Sequence, residues 1–196
     1  MRRRKQKKPR STSEAQPHHH RFDDGVLTIQ KIYRQFHSIS DGAEGGVAGF
    51  NGSIRPTPLA RVLLALSVKG NELVDFGAGS GRVIFAAIVE GASRSYGYEL
   101  PENKGMKSVF DSMVIASANL AQGRVDWLGK NILDLNELNG SPSCAFSFWV
   151  GLPLPVQEHI LWLCTGTRSI RAIAVFKDRK WGNADQGFLW IYLQSH

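Results

Sequence analysis

Between Leu73 and Arg82 the chain reads Leu73-Val74-Asp75-Phe76-Gly77-Ala78-Gly79-Ser80-Gly81-Arg82. A short apolar run carrying one acid leads into three glycines at alternate positions, and apolar residues resume at helical spacing beyond them. Glycine lets the chain turn sharply and lets a ligand lie directly against the main chain. A buried strand, a glycine turn and a helix in that order open an α/β sheet, whose ligands sit at the carboxyl ends of its strands. The details of the turn then choose among ligand classes. A dinucleotide fingerprint wants glycine three residues after Gly79, where this chain has Arg82. A phosphate-binding loop ends in Gly-Lys-Ser/Thr, and no such ending is present. What stands here is Asp75, two residues before the loop, and a second acid, Glu99, ending the next apolar run. A carboxylate at 99 can accept hydrogen bonds from both hydroxyls of a ribose. An acid at 75 suits a ligand with cationic groups better than one carrying phosphates.

On either side of this turn two kinds of element alternate. The spacing predicts helices over 59–68, 82–90, 104–121 and 155–164, and strands over 72–76, 95–100, 125–128, 145–150, 170–176 and 188–193. Such alternation means βαβ units and a mainly parallel sheet with helices on both faces. Upstream, Val26, Ile29, Ile32, Tyr33, Phe36 and Ile39 recur at helical spacing, with Asp23 or Asp24 placed to cap a helix over 26–39. Residues 41–53 are dense in glycine and read as a flexible loop.

The 196 residues suffice for one well-packed domain. Residues 1–24 read as a disordered basic arm, 25–55 as a helix and glycine-rich loop leading into the domain, and 56–196 as the α/β domain. Net charge is +7, and residues 1–10 hold seven cations and no acid, leaving 17 basic and 17 acidic residues in 11–196. A block of this kind stays solvated and seeks anions, so DNA contact or nuclear import is the expected use of residues 1–10. His18-His19-His20 reads as polar linker, and no metal site is expected. No run approaches the about 20 apolar residues of a membrane span, so no membrane contact is expected. Cys144 and Cys164 lie in apolar segments without Cys-x-x-Cys spacing and read as reduced core residues.

The glycine loop and the acid after it resemble the first two motifs of class I S-adenosylmethionine-dependent methyltransferases, over roughly residues 56–176. Within that superfamily, Val74 to Val83 followed by Tyr96-Gly97-Tyr98-Glu99 is most similar to the disruptor-of-telomeric-silencing family, the non-SET histone-lysine N-methyltransferases. A second resemblance is to the mitochondrial ATP-synthase c-subunit lysine methyltransferases. The resemblance implies a Rossmann-like class I methyltransferase fold and S-adenosyl-L-methionine as cofactor, held by Asp75, Gly77, Ala78, Gly79, Gly81 and Glu99. Asn131 and Ile132 fall where that family has the Asp-Phe pair that holds the adenine. The resemblance also implies a chromatin regulator of the nucleus acting on histone lysine in nucleosomes. Another protein, an RNA or a small molecule as acceptor, a catalytically degenerate binding module, and a cytoplasmic or mitochondrial location are the open alternatives.

One departure bears on the chemistry. The family's fourth strand ends in Asn-Asn-Phe-Ala-Phe, and this chain has Phe146-Ser147-Phe148-Trp149-Val150. No residue is thereby assigned to catalysis, and Phe148 and Trp149 become the candidates for lining an acceptor channel. An apolar slot favours the neutral, nucleophilic amine of a lysine over its ammonium. Trp149 reads equally as the packing of a buried central strand.

Overall fold

The apolar run before the glycines forms strand β1 (Glu72–Phe76), whose side chains alternate between two cores. Leu73 enters one core, and Val74 and Phe76 enter the other. A strand buried on both faces has to lie inside a sheet covered on both sides. The computed structural model describes residues 17–40, 54–176 and 188–192, with side chains described over 24–36 and 54–176. In it β1 pairs in parallel with β2 (Arg94–Glu99) on one side and β4 (Cys144–Phe148) on the other. Beyond these lie β3 (Val125–Gly129) and β5 (Ala172–Phe176), also parallel, and β6 (Phe188–Tyr192) runs antiparallel along β5. The order is β3-β2-β1-β4-β5-β6.

The predicted sheet is therefore present, with strand ends within two residues of their predicted positions. The helices differ more. The spacing places a helix at 26–39, whereas α1 runs Pro17–Ser40, so Asp23 and Asp24 lie inside it rather than capping it. Residues 17–24 of the expected disordered arm are thus helical. Residues 1–16, the loop 41–53 and the His triplet's side chains lie outside what is described. α2 (Pro56–Ala65) starts on proline, whose fixed φ suits a first turn, and ends short of the predicted Val68. The single helix predicted over 104–121 is two, α4 (Lys104–Ala116) and α5 (Ala118–Ala121). They are divided at Ser117, whose backbone leaves the helical region. α3 (Arg82–Val89) and α6 (Leu154–Gly166) match their predicted spans to within two residues.

α1 to α5 line one core and α6 the other, together with a single 3-10 turn at Ile132–Asp134 that periodicity does not reveal. α1 carries Gly25 in its interior, which costs about 1 kcal/mol of helix propensity. Burial of Ile29 and Phe36 outweighs this, at roughly 1.5–3 kcal/mol for each side chain. Cys144 and Cys164 are buried free thiols, and burial pushes both up to about 12. Among the described residues no helix is long and apolar enough to cross a membrane.

Candidate functional site

The glycine turn leaves the carboxyl end of β1 and enters α3. Gly81 sits at the helix start with φ of +89°, a left-handed conformation that glycine adopts without strain. The amides of Gly77 and Ala78 both donate to the Tyr98 carbonyl of β2, at 2.9 and 3.0 Å. This ties the loop to the neighbouring strand and leaves its outer side bare. A side chain at Gly77 or Gly79 would meet no atom within 4 Å.

That close approach depends on Gly97, the β2 residue paired with Asp75. A Cβ at 97 would stand 2.4 Å from the Ala78 Cβ and 3.0 Å from the Asp75 carbonyl oxygen. Glycine inside a strand usually marks where another backbone comes close, and here that backbone is the loop itself.

Glu99, at the end of β2, reaches over the loop. Its Oε2 accepts from the Gly79 amide at 2.7 Å, and its Oε1 accepts from Asn103 Nδ2 at 2.7 Å and the Leu100 amide at 3.0 Å. A carboxylate has about four acceptor positions, so one stays open to a ligand. The Gly79 carbonyl is held as well, by Trp127 Nε1 of β3 at 2.8 Å.

Asp75 is only 2% exposed, and no hydrogen bond from a described residue reaches its carboxyl. Burial raises its pKa well above 3.8, and the charge of Glu99 adds to the rise. A raised carboxyl favours the folded state while protonated, and that contribution is lost as pH climbs through its folded-state pKa. Asp75→Asn is therefore expected to melt higher than the parent at pH 7–8, with the advantage gone below about pH 4, where even an unshifted carboxyl is protonated. Thermal melts across that pH range check this, and equal melting temperatures at pH 8 would refute it.

Arg82, which occupies the third glycine position of a dinucleotide fingerprint, points away from the loop's open side. Its guanidinium is buried between the rings of Tyr33 and Phe36 of α1, 5.4 and 5.6 Å from their centroids. Tyr33 in turn donates to the Ile54 carbonyl at 2.7 Å, so α1 is fastened to the start of α3 and to the chain entering α2.

At the ends of β2 and β3 lies an open cleft of about 720 Å³, lined among others by Pro101, Glu102, Lys130, Asn131, Asp134 and Glu137. One wall is pinned at Asn139, whose amide donates to the Tyr98 hydroxyl at 2.9 Å and whose carbonyl accepts from the Tyr96 hydroxyl.

The predicted site residues separate into groups. Asp75, Gly77, Ala78, Gly79, Gly81 and Glu99 come together around the turn. Asn131 lines the cleft, with its side-chain oxygen accepting from the Leu133 amide at 3.1 Å. Ile132 is buried in the core beneath α6, on the opposite face from α3. Phe148 stacks on Phe176 with centroids 4.6 Å apart, at the carboxyl ends of β4 and β5. Trp149 is buried in the α6 core, and its indole nitrogen has no hydrogen-bond partner among the described residues. Sequence reasoning missed Trp127 and Asn103, because what they do depends on register and on a turn that brings residue 103 back to 99.

No family model matches this chain, and no curated protein matches it. Solved structures do share its architecture. A protein of Thermoplasma acidophilum aligns over 81% of this chain and 71% of its own, at 11% identity and a TM-score of 0.52. The methyltransferase domain of bacterial CtHen1-CN aligns over 64% of this chain and 71% of its own, at 14% identity and a TM-score of 0.50. An RNA methyltransferase of Salinibacter ruber, in complex with S-adenosyl-L-homocysteine, aligns over 69% and 84% at 17% identity and a TM-score of 0.48. Five parallel strands in this order, the glycine turn leaving the first and an antiparallel strand closing the far edge, give the chain the Rossmann-like fold of class I methyltransferases.

Proposed function

We propose that this chain is a methyltransferase that uses S-adenosyl-L-methionine and carries its methyl group to a lysine of a cationic polypeptide. The observation that supports the cofactor is the bare cradle at Gly77 and Gly79, with space directly above the main chain. The residues around it fit that ligand. Glu99 has an acceptor position left for its ribose hydroxyls, and the buried carboxyl of Asp75 offers a counter-charge to its cationic amino-acid end. When bound there, S-adenosyl-L-methionine supplies an electrophilic methyl group on a sulfonium. The chain's own part is alignment and exclusion of water. Gly77 and Gly79 admit the ligand to the backbone, Glu99 orients it, and the stacked Phe148–Phe176 pair gives the strand ends an apolar wall.

Charge supports a polypeptide acceptor. The cleft beside the cradle carries Glu102, Asp134 and Glu137 against one cation among its lining residues, Lys130. Such a rim repels a phosphate backbone and attracts a basic peptide. The motif resemblance narrows this to histone lysine, and the seven cations of residues 1–10 would tether the enzyme to nucleosomal DNA in a nucleus. A methyltransferase acting on RNA, another protein or a small molecule would use the same cradle, so the acceptor has to be read directly.

Incubation with labelled S-adenosyl-L-methionine and nucleosomes, free histones, total RNA or cell extract reads it. Label in a histone lysine is the expected outcome, label in RNA would overturn the acceptor, and absence of cofactor binding by calorimetry would leave a binding module. On nucleosomes, activity should fall steeply with salt, because each neutralised phosphate contributes a slope of about −0.9 on logarithmic axes. Removing residues 1–10 should flatten that slope without changing cofactor affinity. Identical salt curves with and without the tail would remove the tether.

A further inference from the structure

Gly79, at the apex of the turn, is held at both of its polar groups by two different strands. Its amide donates to Glu99 of β2, and its carbonyl accepts from the indole of Trp127 of β3. The first contact comes from a residue that the motif already picks out. The second comes from a strand that touches neither β1 nor the loop through its backbone.

The path of the indole has been cleared by two glycines. Trp127 pairs across the sheet with Gly97, so no side chain of β2 stands between the ring and the loop. Two residues along β3, on the same face, Gly129 leaves room for the ring: a Cβ there would come within 3.1 Å of Trp127 Cζ3. An indole has the length to cross a strand, about 4.8 Å wide, and carries at its far edge an uncharged donor that cannot also act as an acceptor. Half-buried, it shields the Gly79 carbonyl while satisfying it.

We propose that Trp127 is a positioning residue for the glycine turn: it holds the Gly79 peptide in the orientation that keeps the cradle open before any ligand arrives. The role in cofactor affinity rests on the reading of the site given above, whereas the role in holding the loop does not. A turn whose Gly79 carbonyl is left unheld samples more conformations, and a ligand must then supply the ordering that the indole otherwise provides in advance.

Trp127→Phe keeps the aromatic bulk and deletes the N–H. Hydrogen–deuterium exchange on the full chain, with Trp162→Phe on the exposed face of α6 as the control, reads the loop without any ligand. In Trp127→Phe the amides of 77–81 should exchange several-fold faster, with the rest of the sheet unchanged. Trp162→Phe should match the parent throughout. Calorimetry with S-adenosyl-L-homocysteine should then show affinity roughly threefold to tenfold weaker in Trp127→Phe, the factor for one ordinary hydrogen bond. Gly129→Ala, which presses on the same ring, should quicken exchange at the same amides.

Parental exchange at 77–81 in Trp127→Phe would overturn the proposal, and so would faster exchange spread evenly over the sheet, which would mark a general packing role. If the parent fails to bind S-adenosyl-L-homocysteine while the local exchange difference is present, the cofactor reading falls and the positioning of the loop by Trp127 stands.

Discussion

Gly97→Ala is expected to lower the melting temperature by about 2–12 °C and to weaken cofactor binding together with it. The added methyl would stand 2.4 Å from the Ala78 Cβ, 3.0 Å from the Asp75 carbonyl oxygen and 3.0 Å from Ile84 Cδ1. Real Cβ atoms do not approach others so closely, and two of the three neighbours cannot swing aside. One is main chain of the central strand, and the other is a methyl fixed to the loop backbone. Overpacking of this kind costs about 1–3 kcal/mol, and each kcal/mol moves the melting temperature of a chain this size by roughly 2–4 °C. The loop is the softer partner, so relief would come by lifting residues 77–79 off β2. That breaks the pair of hydrogen bonds to the Tyr98 carbonyl and moves the cradle itself. Calorimetric melts and S-adenosyl-L-homocysteine titration check both halves. A variant with parental stability and affinity would mean that the loop does not lie on β2 as described.

The second large effect is at Glu99. Glu99→Ala should weaken cofactor affinity by about tenfold or more, since it deletes the prospective charge-assisted bond to ribose at roughly 1.5–3 kcal/mol. It also frees the Gly79 amide and Asn103, both of which Glu99 holds in the absence of ligand. Glu99→Gln separates these contributions. An amide keeps one oxygen acceptor but turns the other position into a donor, so it cannot accept from the Gly79 and Leu100 amides at opposite ends as the carboxylate does. Its affinity should fall between parent and alanine variant. Removing the charge at 99 also removes one of the two causes that raise the Asp75 carboxyl, leaving burial as the remaining one. Parental affinity in Glu99→Ala, measured by titration calorimetry, would place the ribose elsewhere.

Both predictions concern residues around one turn, and they differ in how visible they were beforehand. Glu99 was legible from its place at the end of the second strand, where a carboxylate faces the glycine loop. Gly97 was visible only as one letter of a Tyr-Gly-Tyr-Glu run. Its reason is the Ala78 methyl, which belongs to a different element and reaches Gly97 only through the pairing of Asp75 with it. Arg82 was legible as the residue that excludes a dinucleotide fingerprint. Its burial against Tyr33 and Phe36 was not, because those rings come from α1, far back in the chain. The break at Ser117 escaped notice because apolar spacing continues through it, with Leu120 and Ala121 packing on the same core as Met113.

By itself the sequence determined the strand–helix alternation, the two-faced burial of the central strands and the placing of a glycine turn after the first strand. Those properties are local: the period of the apolar residues selects the element, and glycine at a turn selects the backbone that a ligand can approach. Only the tertiary structure decided which side of the sheet each aromatic serves. It sent Phe148 to the strand-end stack with Phe176, Trp149 into the core under α6, and Trp127 across β2 onto Gly79. A strand's two faces alternate residue by residue, so a one-residue difference in pairing register exchanges core for site. That register is set by contacts between strands far apart in the chain, as with Trp127 and Gly97, and no local reading of either segment contains it.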